Sequence, residues 1–321
     1  MGNTLDLKRL SKYAKENSLV LFFVMLIVMS ALFVPRFIDP NNLVNVMMQI
    51  AINALLATGM TFVILSNGID LSVGSVAALA GIVATVTIKF FPNASILTGV
   101  LVILATAIVI GGIFGGIMAL NIAKLKVPPF IATLAIMSVA RGLAYVYTES
   151  RPVFGLPDSF SWMGIGYIGP IPVMVIVTAI IMVIAHIVLT RTCFGRYVFA
   201  VGSNEEVAKL SGINIVKIKF YVYMICSVLA ALGGAALASR LQAGQPNAAQ
   251  GYELNAIAAV AMGGTSMSGG RGGIIQTTLG LVIIGVINNA LSLLGVSSYW
   301  QTIAMGIIIL VAVIFDLNKD A

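Results

Sequence analysis

Long apolar runs, each broken by a short polar or glycine-rich interval, make up nearly the whole chain. A helix needs about 20 mostly apolar residues to cross the hydrocarbon core of a bilayer. By that measure the pattern predicts ten candidate spans, at about 19–38, 43–66, 73–91, 96–120, 129–148, 171–190, 218–239, 254–266, 274–292 and 299–316. The eighth is short and rich in glycine, so crossing and re-entry are both open for it. Residues 1–18 read as a polar leading segment, 19–316 as one transmembrane unit and 317–321 as a short tail. The first apolar run ends in Val34-Pro35-Arg36-Phe37 rather than a small-residue cleavage site, so it reads as a membrane helix and not a signal peptide. The predicted fold class is all-α and polytopic, with broken or re-entrant segments.

Composition sharpens this picture. Apolar residues make up 60% of the chain and charged residues 9%, against roughly 25% charge in a soluble domain. The net charge of +7 is sorted by membrane side. With the N-terminus inside, thirteen of the 18 Lys and Arg fall in the cytoplasm, Arg36, Lys89, Arg151 and Arg240 fall outside, and Arg141 lies within a span. The positive-inside rule then predicts that both termini are cytoplasmic. The basic surplus is no nucleic-acid footprint. Cys193, Cys226 and the lone His186 show no metal-ligand or catalytic spacing, so no catalytic residue and no metal site is expected. A phosphate-binding loop of the Walker type needs Lys-Ser or Lys-Thr, and neither pair occurs. No cofactor is expected on this chain.

Polar residues inside or between spans are the candidate chemistry. Gln49 and Asn53 lie four residues apart, on one helical face. Asn288 and Asn289 sit in the ninth span. Such amides either glue helices together or line a pathway, because lipid cannot hydrogen-bond them. Gly68, Asp70, Ser72 and Gly74 form a break between spans, in which the glycines permit turns and Asp70 or Ser72 can cap the next helix. Arg141 needs a partner at membrane depth, with Glu149 and Tyr145 in reach along the sequence. The outer interval 149–169, with Phe160, Trp162 and Tyr167, suits either a docking surface or an aromatic belt. From Gly251 to Gly273 seven glycines argue against one continuous helix, and the turn at Gly263, Gly264, Thr265 and Ser266 is a candidate gate.

The longest charge-bearing interval runs from Arg191 to Lys219, with five basic and two acidic residues. Within it Asn204, Glu205, Glu206, Ala208 and Gly212 mark a short amphipathic helix and its turns. Val207 and Leu210, with Ala208, are expected to share its apolar face. A polar-tipped helix between spans suits the grip of a soluble partner, and an ordinary solvated loop fits the same composition.

Several stretches, in order, resemble the permease subunits of bacterial sugar ATP-binding-cassette importers, in the ribose-permease-like branch. They are Gly68 to Ser75, Phe130 to Leu134, Leu210 to Asn214, Tyr252 to Leu254 with Ala256 to Ala259, Gly263 to Ser266, and Asn288-Asn289 with Leu293 to Tyr299. The resemblance implies a pathway for a monosaccharide, ribose or a sugar such as allose, xylose or galactose. It also implies a cytoplasmic ATPase subunit carrying ATP and Mg, a periplasmic or lipid-anchored sugar-binding protein, a second permease copy, and a place in the bacterial inner membrane. Glu206, Ala208 and Gly212 resemble the loop with which such permeases contact their ATPase, with Val207 in place of the usual middle alanine. A secondary transporter acting alone is the rival class, with Asp70 and Glu253 as its coupling acids.

Overall fold

The structure is a computed structural model that describes residues 18–320; the leading polar segment lies almost wholly outside this range. Every predicted span contains a helix: α1 Ser18–Phe33, α2 Pro40–Leu65, α3 Val73–Lys89, α4 Ile96–Ala123 and α5 Pro129–Thr148. After a short α6 at Asp158–Ile165 and a two-residue hairpin of β1 (Tyr167–Ile168) and β2 (Ile171–Pro172), the chain enters α7 at Val173–Arg191. Then come α8 at Cys193–Ser203, α9 at Glu205–Leu210, α10 at Ile215–Leu241, α11 at Tyr252–Met262, α12 at Ile274–Leu293 and α13 at Ser298–Asp320. Among the described residues, six of these helices (α2, α4, α5, α7, α10 and α12) are long and apolar enough to cross a membrane. At the other four predicted spans the described apolar stretches are shorter, at Leu21–Phe33, Val73–Lys89, Tyr252–Met262 and Ser298–Leu310.

Polar intervals end where a side chain can satisfy the free N–H groups of a helix start. Asp39 accepts from Asn41 N at 2.8 Å ahead of α2, and Ser95 from Thr98 N at 3.2 Å ahead of α4. Asn214 accepts from Lys217 N at 3.0 Å ahead of α10. Pro129 opens α5, where its missing N–H does no harm.

The core is organised around α10, which packs on α4, α3 and α2. Small residues let the backbones meet directly. A Cβ on Gly59 of α2 would stand 2.8 Å from the Cys226 Cα, and one on Gly111 of α4 would stand 2.5 Å from the Val228 Cα. Gly234 of α10 leaves no room for a Cβ against the Ala77 carbonyl of α3. Of the two overlapping GxxxG patterns in α4, Gly111 and Gly115 therefore face α10, while Gly112 faces open space.

The outer interval is more ordered than its composition suggests. Phe160 is fully buried in α6, so it is no belt residue, whereas Tyr167 is exposed. Ser239 of α10 donates to the Phe160 carbonyl at 2.6 Å and accepts from Gly164 N at 2.9 Å. Arg141 donates through one nitrogen to the carbonyls of Pro246 and Ala248, both at 2.8 Å. Its hydrogen-bond partners are thus the carbonyls of the loop leading into α11, rather than Glu149 or Tyr145.

Candidate coupling junction and translocation crevice

The Arg191–Lys219 interval folds into α8 and α9. Thr192 accepts from Gly195 N at 3.2 Å and starts α8, a helix that the sequence reading did not anticipate. Asn204 breaks the helix and accepts from Val207 N at 3.0 Å, so it caps α9. Gly212 ends α9 in the left-handed conformation, φ +80°. Its N–H donates to the Lys209 carbonyl at 3.0 Å and the next N–H, of Ile213, donates to the Ala208 carbonyl at 3.1 Å. That is a Schellman ending, which favours glycine because it alone lacks the Cβ penalty. Glu205 pairs with Lys219 at 2.6 Å.

The expected apolar face of α9 is divided. Ala208 is buried and anchors the helix, but Val207 is 57% and Leu210 88% exposed. Six residues make less than two turns, so only one side chain meets the protein beneath. The other two form an apolar tip beside Glu206.

The C-terminal end of α8 touches both breaks in the bundle. At Gly202 a Cβ would collide with the Leu65 carbonyl, the last residue of α2. The same carbonyl accepts from Gly270 N at 3.0 Å, in the glycine-rich turn between α11 and α12. Gly269 lies against Gly202 and Asn67, and Gly270 against Ser203. Three segments distant in sequence thus meet backbone to backbone, with glycine on two of them. Gly264, Gly269, Gly270 and Gly272 all have φ between +71° and +124°. The turn closes through Ser266 N donating to the Arg271 carbonyl at 2.9 Å and Gly273 N donating to Thr265 Oγ1 at 3.2 Å. Gly263 packs against the Gln276 carbonyl of α12.

In the first break the roles differ from expectation. The left-handed residue is Asn67, φ +59°, rather than Gly68. Gly68 instead makes room for the Tyr223 hydroxyl, and Gly74 for the Glu253 carboxylate and the Ala249 carbonyl. Asp70 is fully buried and accepts from Ser72 N at 2.8 Å and Ser72 Oγ at 2.6 Å. Ser72 holds the cap position of α3 but makes no side-chain cap bond, because its hydroxyl is given to the carboxylate. Asp70 therefore orders the residue before the helix rather than the first turn itself.

Gln49 and Asn53 of α2 and Asn288 of α12 converge on one crevice, joined by Asn255 of α11. Ile50, Leu281, Ile284 and Gly285 complete its walls. Its volume is about 10 Å³, near the lower limit for a single water. Asn53 donates to the Gln49 carbonyl at 3.2 Å, while its Oδ1 is buried without a partner among the described residues. Asn289 lies elsewhere. Its amide and that of Asn42 exchange two hydrogen bonds, at 2.7 and 3.0 Å, and so tie α12 to the start of α2. Asn255 escaped the sequence reading, since one amide in a glycine-rich stretch has no periodic partner.

Apolar helices around a tight amide crevice, with a partner-seeking helix attached to the breaks beside it, suit a membrane permease. The chain belongs to the family described as branched-chain amino acid transport system / permease component, which matches residues 42–313. It is 44% identical over 310 residues to the ribose import permease protein RbsC of Escherichia coli (strain K12), covering 95% of this chain and 94% of that one. The RbsC protein of Bacillus subtilis (strain 168) is 46% identical over 305 residues, covering 93% and 91%. The L-arabinose transport system permease protein AraH of Escherichia coli (strain K12) is 36% identical over 307 residues, covering 95% and 91%. No solved structure matches.

Proposed function

We propose that this chain is the translocation subunit of an ATP-driven sugar importer in the bacterial inner membrane, and that ribose is its cargo. The observation that carries this reading is identity of 44–46% to ribose import permeases over more than nine-tenths of the chain. Allose, xylose and galactose stay as competitors within the class, and the 36% likeness to an L-arabinose permease adds a further pentose. In the mechanism, a cytoplasmic ATPase pair holding ATP and Mg grips the α9 tip at Glu206, Val207 and Leu210. Its closure displaces α8, and α8 carries that motion into the two breaks at Leu65–Asn67 and Gly269–Gly270. The breaks then shift α11 and α12 against α2, and these three helices bear the four amides.

A monosaccharide does not fit a crevice of about 10 Å³, so the reading takes this conformation as closed. Opening would expose carboxamides, which donate to and accept from sugar hydroxyls without binding tightly. Selection is left to a sugar-binding protein outside, and a second permease copy completes the pathway. Both termini are cytoplasmic in this reading, with ten spans.

The test is uptake of labelled ribose into proteoliposomes holding this chain, its ATPase and its binding protein, with and without internal ATP. Uptake that needs all three components and ATP is expected, and cold sugars then rank the substrates. Gradient-driven uptake by the chain alone would overturn the importer reading in favour of a secondary transporter.

A further inference from the structure

Beside the coupling segment lies a pocket of about 510 Å³, between the end of α4, the link 124–128 and the stretch 205–219. Its polar wall carries Lys126, Lys209 and Lys219 with a single acid, Glu205. Glu205 is already paired with Lys219 at 2.6 Å. Lys126 and Lys209 have no ion pair among the described residues, so two of the three lysines lining the pocket are uncompensated. Its other wall is apolar, through Ile122 and Val216. Lys126 itself is held at φ +59°, a conformation that a residue with a long side chain rarely adopts.

The height of the pocket follows from the helices that border it. Helix α4 ends its apolar run at Ala123, and α10 begins its own at Ile215. The lysines therefore sit at the membrane–water boundary. Just past the pocket, on the first turn of α5, Phe130 and Ile131 are both 57% exposed. Paired cations in a recess, with bare apolar surface next to it, complement a molecule with an anionic head and an acyl tail. A soluble anion would use the cations but leave that apolar surface uncovered.

We infer that this recess is a binding site for an anionic phospholipid, whose phosphate is held by Lys126 and Lys209 and whose acyl chains lie along Phe130 and Ile131. The site places a lipid between α4 and the root of the coupling segment, so its occupancy steadies α9 relative to the bundle. This assignment needs only that the helices cross a membrane and does not depend on which sugar is carried.

The test titrates the full-length chain in mild detergent with phosphatidylglycerol, with phosphatidylcholine of the same chains, and with inorganic phosphate. Retained lipid is read by native mass spectrometry, and the melting temperature is read alongside. Phosphatidylglycerol is expected to be retained and to raise the melting temperature, while phosphatidylcholine does neither. The double variant Lys126→Gln/Lys209→Gln should weaken that retention by roughly thirty-fold, at the attraction typical of one juxtamembrane basic residue applied twice. Should the double variant fold poorly, Lys209→Gln alone should lose about five-fold on the same scale, and Lys209→Arg should restore it. Equal retention of both lipids, retention unchanged in these variants, or an equal stabilisation by inorganic phosphate would each overturn the lipid site. Loss of the lipid on addition of the ATPase subunit would also overturn it, by giving the recess to a protein.

Discussion

Gly202 offers the sharpest perturbation of the coupling junction. In Gly202→Ala the new methyl group would collide with the Leu65 carbonyl, a backbone atom at the end of a buried helix that no rotamer change can move. Either α8 lifts away or the last turn of α2 gives. Overpacking of this kind costs about 1–3 kcal/mol. Displacing the carbonyl also endangers its bond from Gly270 N at 3.0 Å, worth about 0.5–1.5 kcal/mol. The sum is a loss of about 1.5–4.5 kcal/mol. Gly212→Ala is the control, since a Cβ there meets nothing within 4 Å and only φ +80° resists it. That left-handed backbone costs about 1–2 kcal/mol. Thermal unfolding of each purified variant in detergent measures the order, and ATP-driven uptake in proteoliposomes measures the consequence. Gly202→Ala should melt lower than Gly212→Ala, and should keep ATPase binding while losing ribose uptake. A Gly202→Ala protein that melts and transports like the parent would refute the junction. So would a Gly212→Ala protein that is the less stable of the two.

Three further outcomes follow from the same geometry. Leu210 is 88% exposed, so Leu210→Asp should leave the melting temperature within about 1 °C of the parent, the usual fate of a surface change. Binding of the ATPase subunit, followed in a pull-down, should be lost in that variant, and retained binding would remove the apolar tip from the docking surface. Alanine at Asn255 or Asn288 should lower the turnover of uptake more than it alters the order of competing sugars; a pure change of preference would contradict a weak amide site. Asn42→Ala and Asn289→Ala should each cost about 1–2 kcal/mol by orphaning a partner. Their double mutant should be more stable than the two losses added together, and strict additivity in a double-mutant cycle would dissolve the pair.

The ten apolar runs were legible because burial in lipid and burial in protein make the same demand on sequence. Helix positions follow from that demand, but neighbours do not. Asn288 and Asn289 show the limit plainly. Adjacent residues on a helix point about 100° apart, so one can face the crevice only if the other faces away. Sequence alone could not say which, and the answer came from the position of Asn42. Asn255 had no legible signal, for its partners are more than thirty residues away in one direction and about two hundred in the other. Helix α8 was missed for a different reason. Its Gly202 reads as a turn former, whereas the structure uses the glycine for clearance within the last turn of a helix. Likewise Ala208, the least conspicuous apolar residue of α9, proved to be its anchor.

The contacts of α10 also constrain how this molecule can move. Helices that slide past one another need side chains between them, since a change of rotamer is what absorbs a small displacement. Between α10 and its neighbours the interface at Gly59, Gly111 and Gly234 has main chain against main chain, with no such cushion. These helices are geared together without play and must travel as one body. Freedom is left to a non-helical stretch outside this body, namely residues 263–273 between α11 and α12. The division between a stiff chassis and a pliant joint is thus written in the smallest residues of the chain.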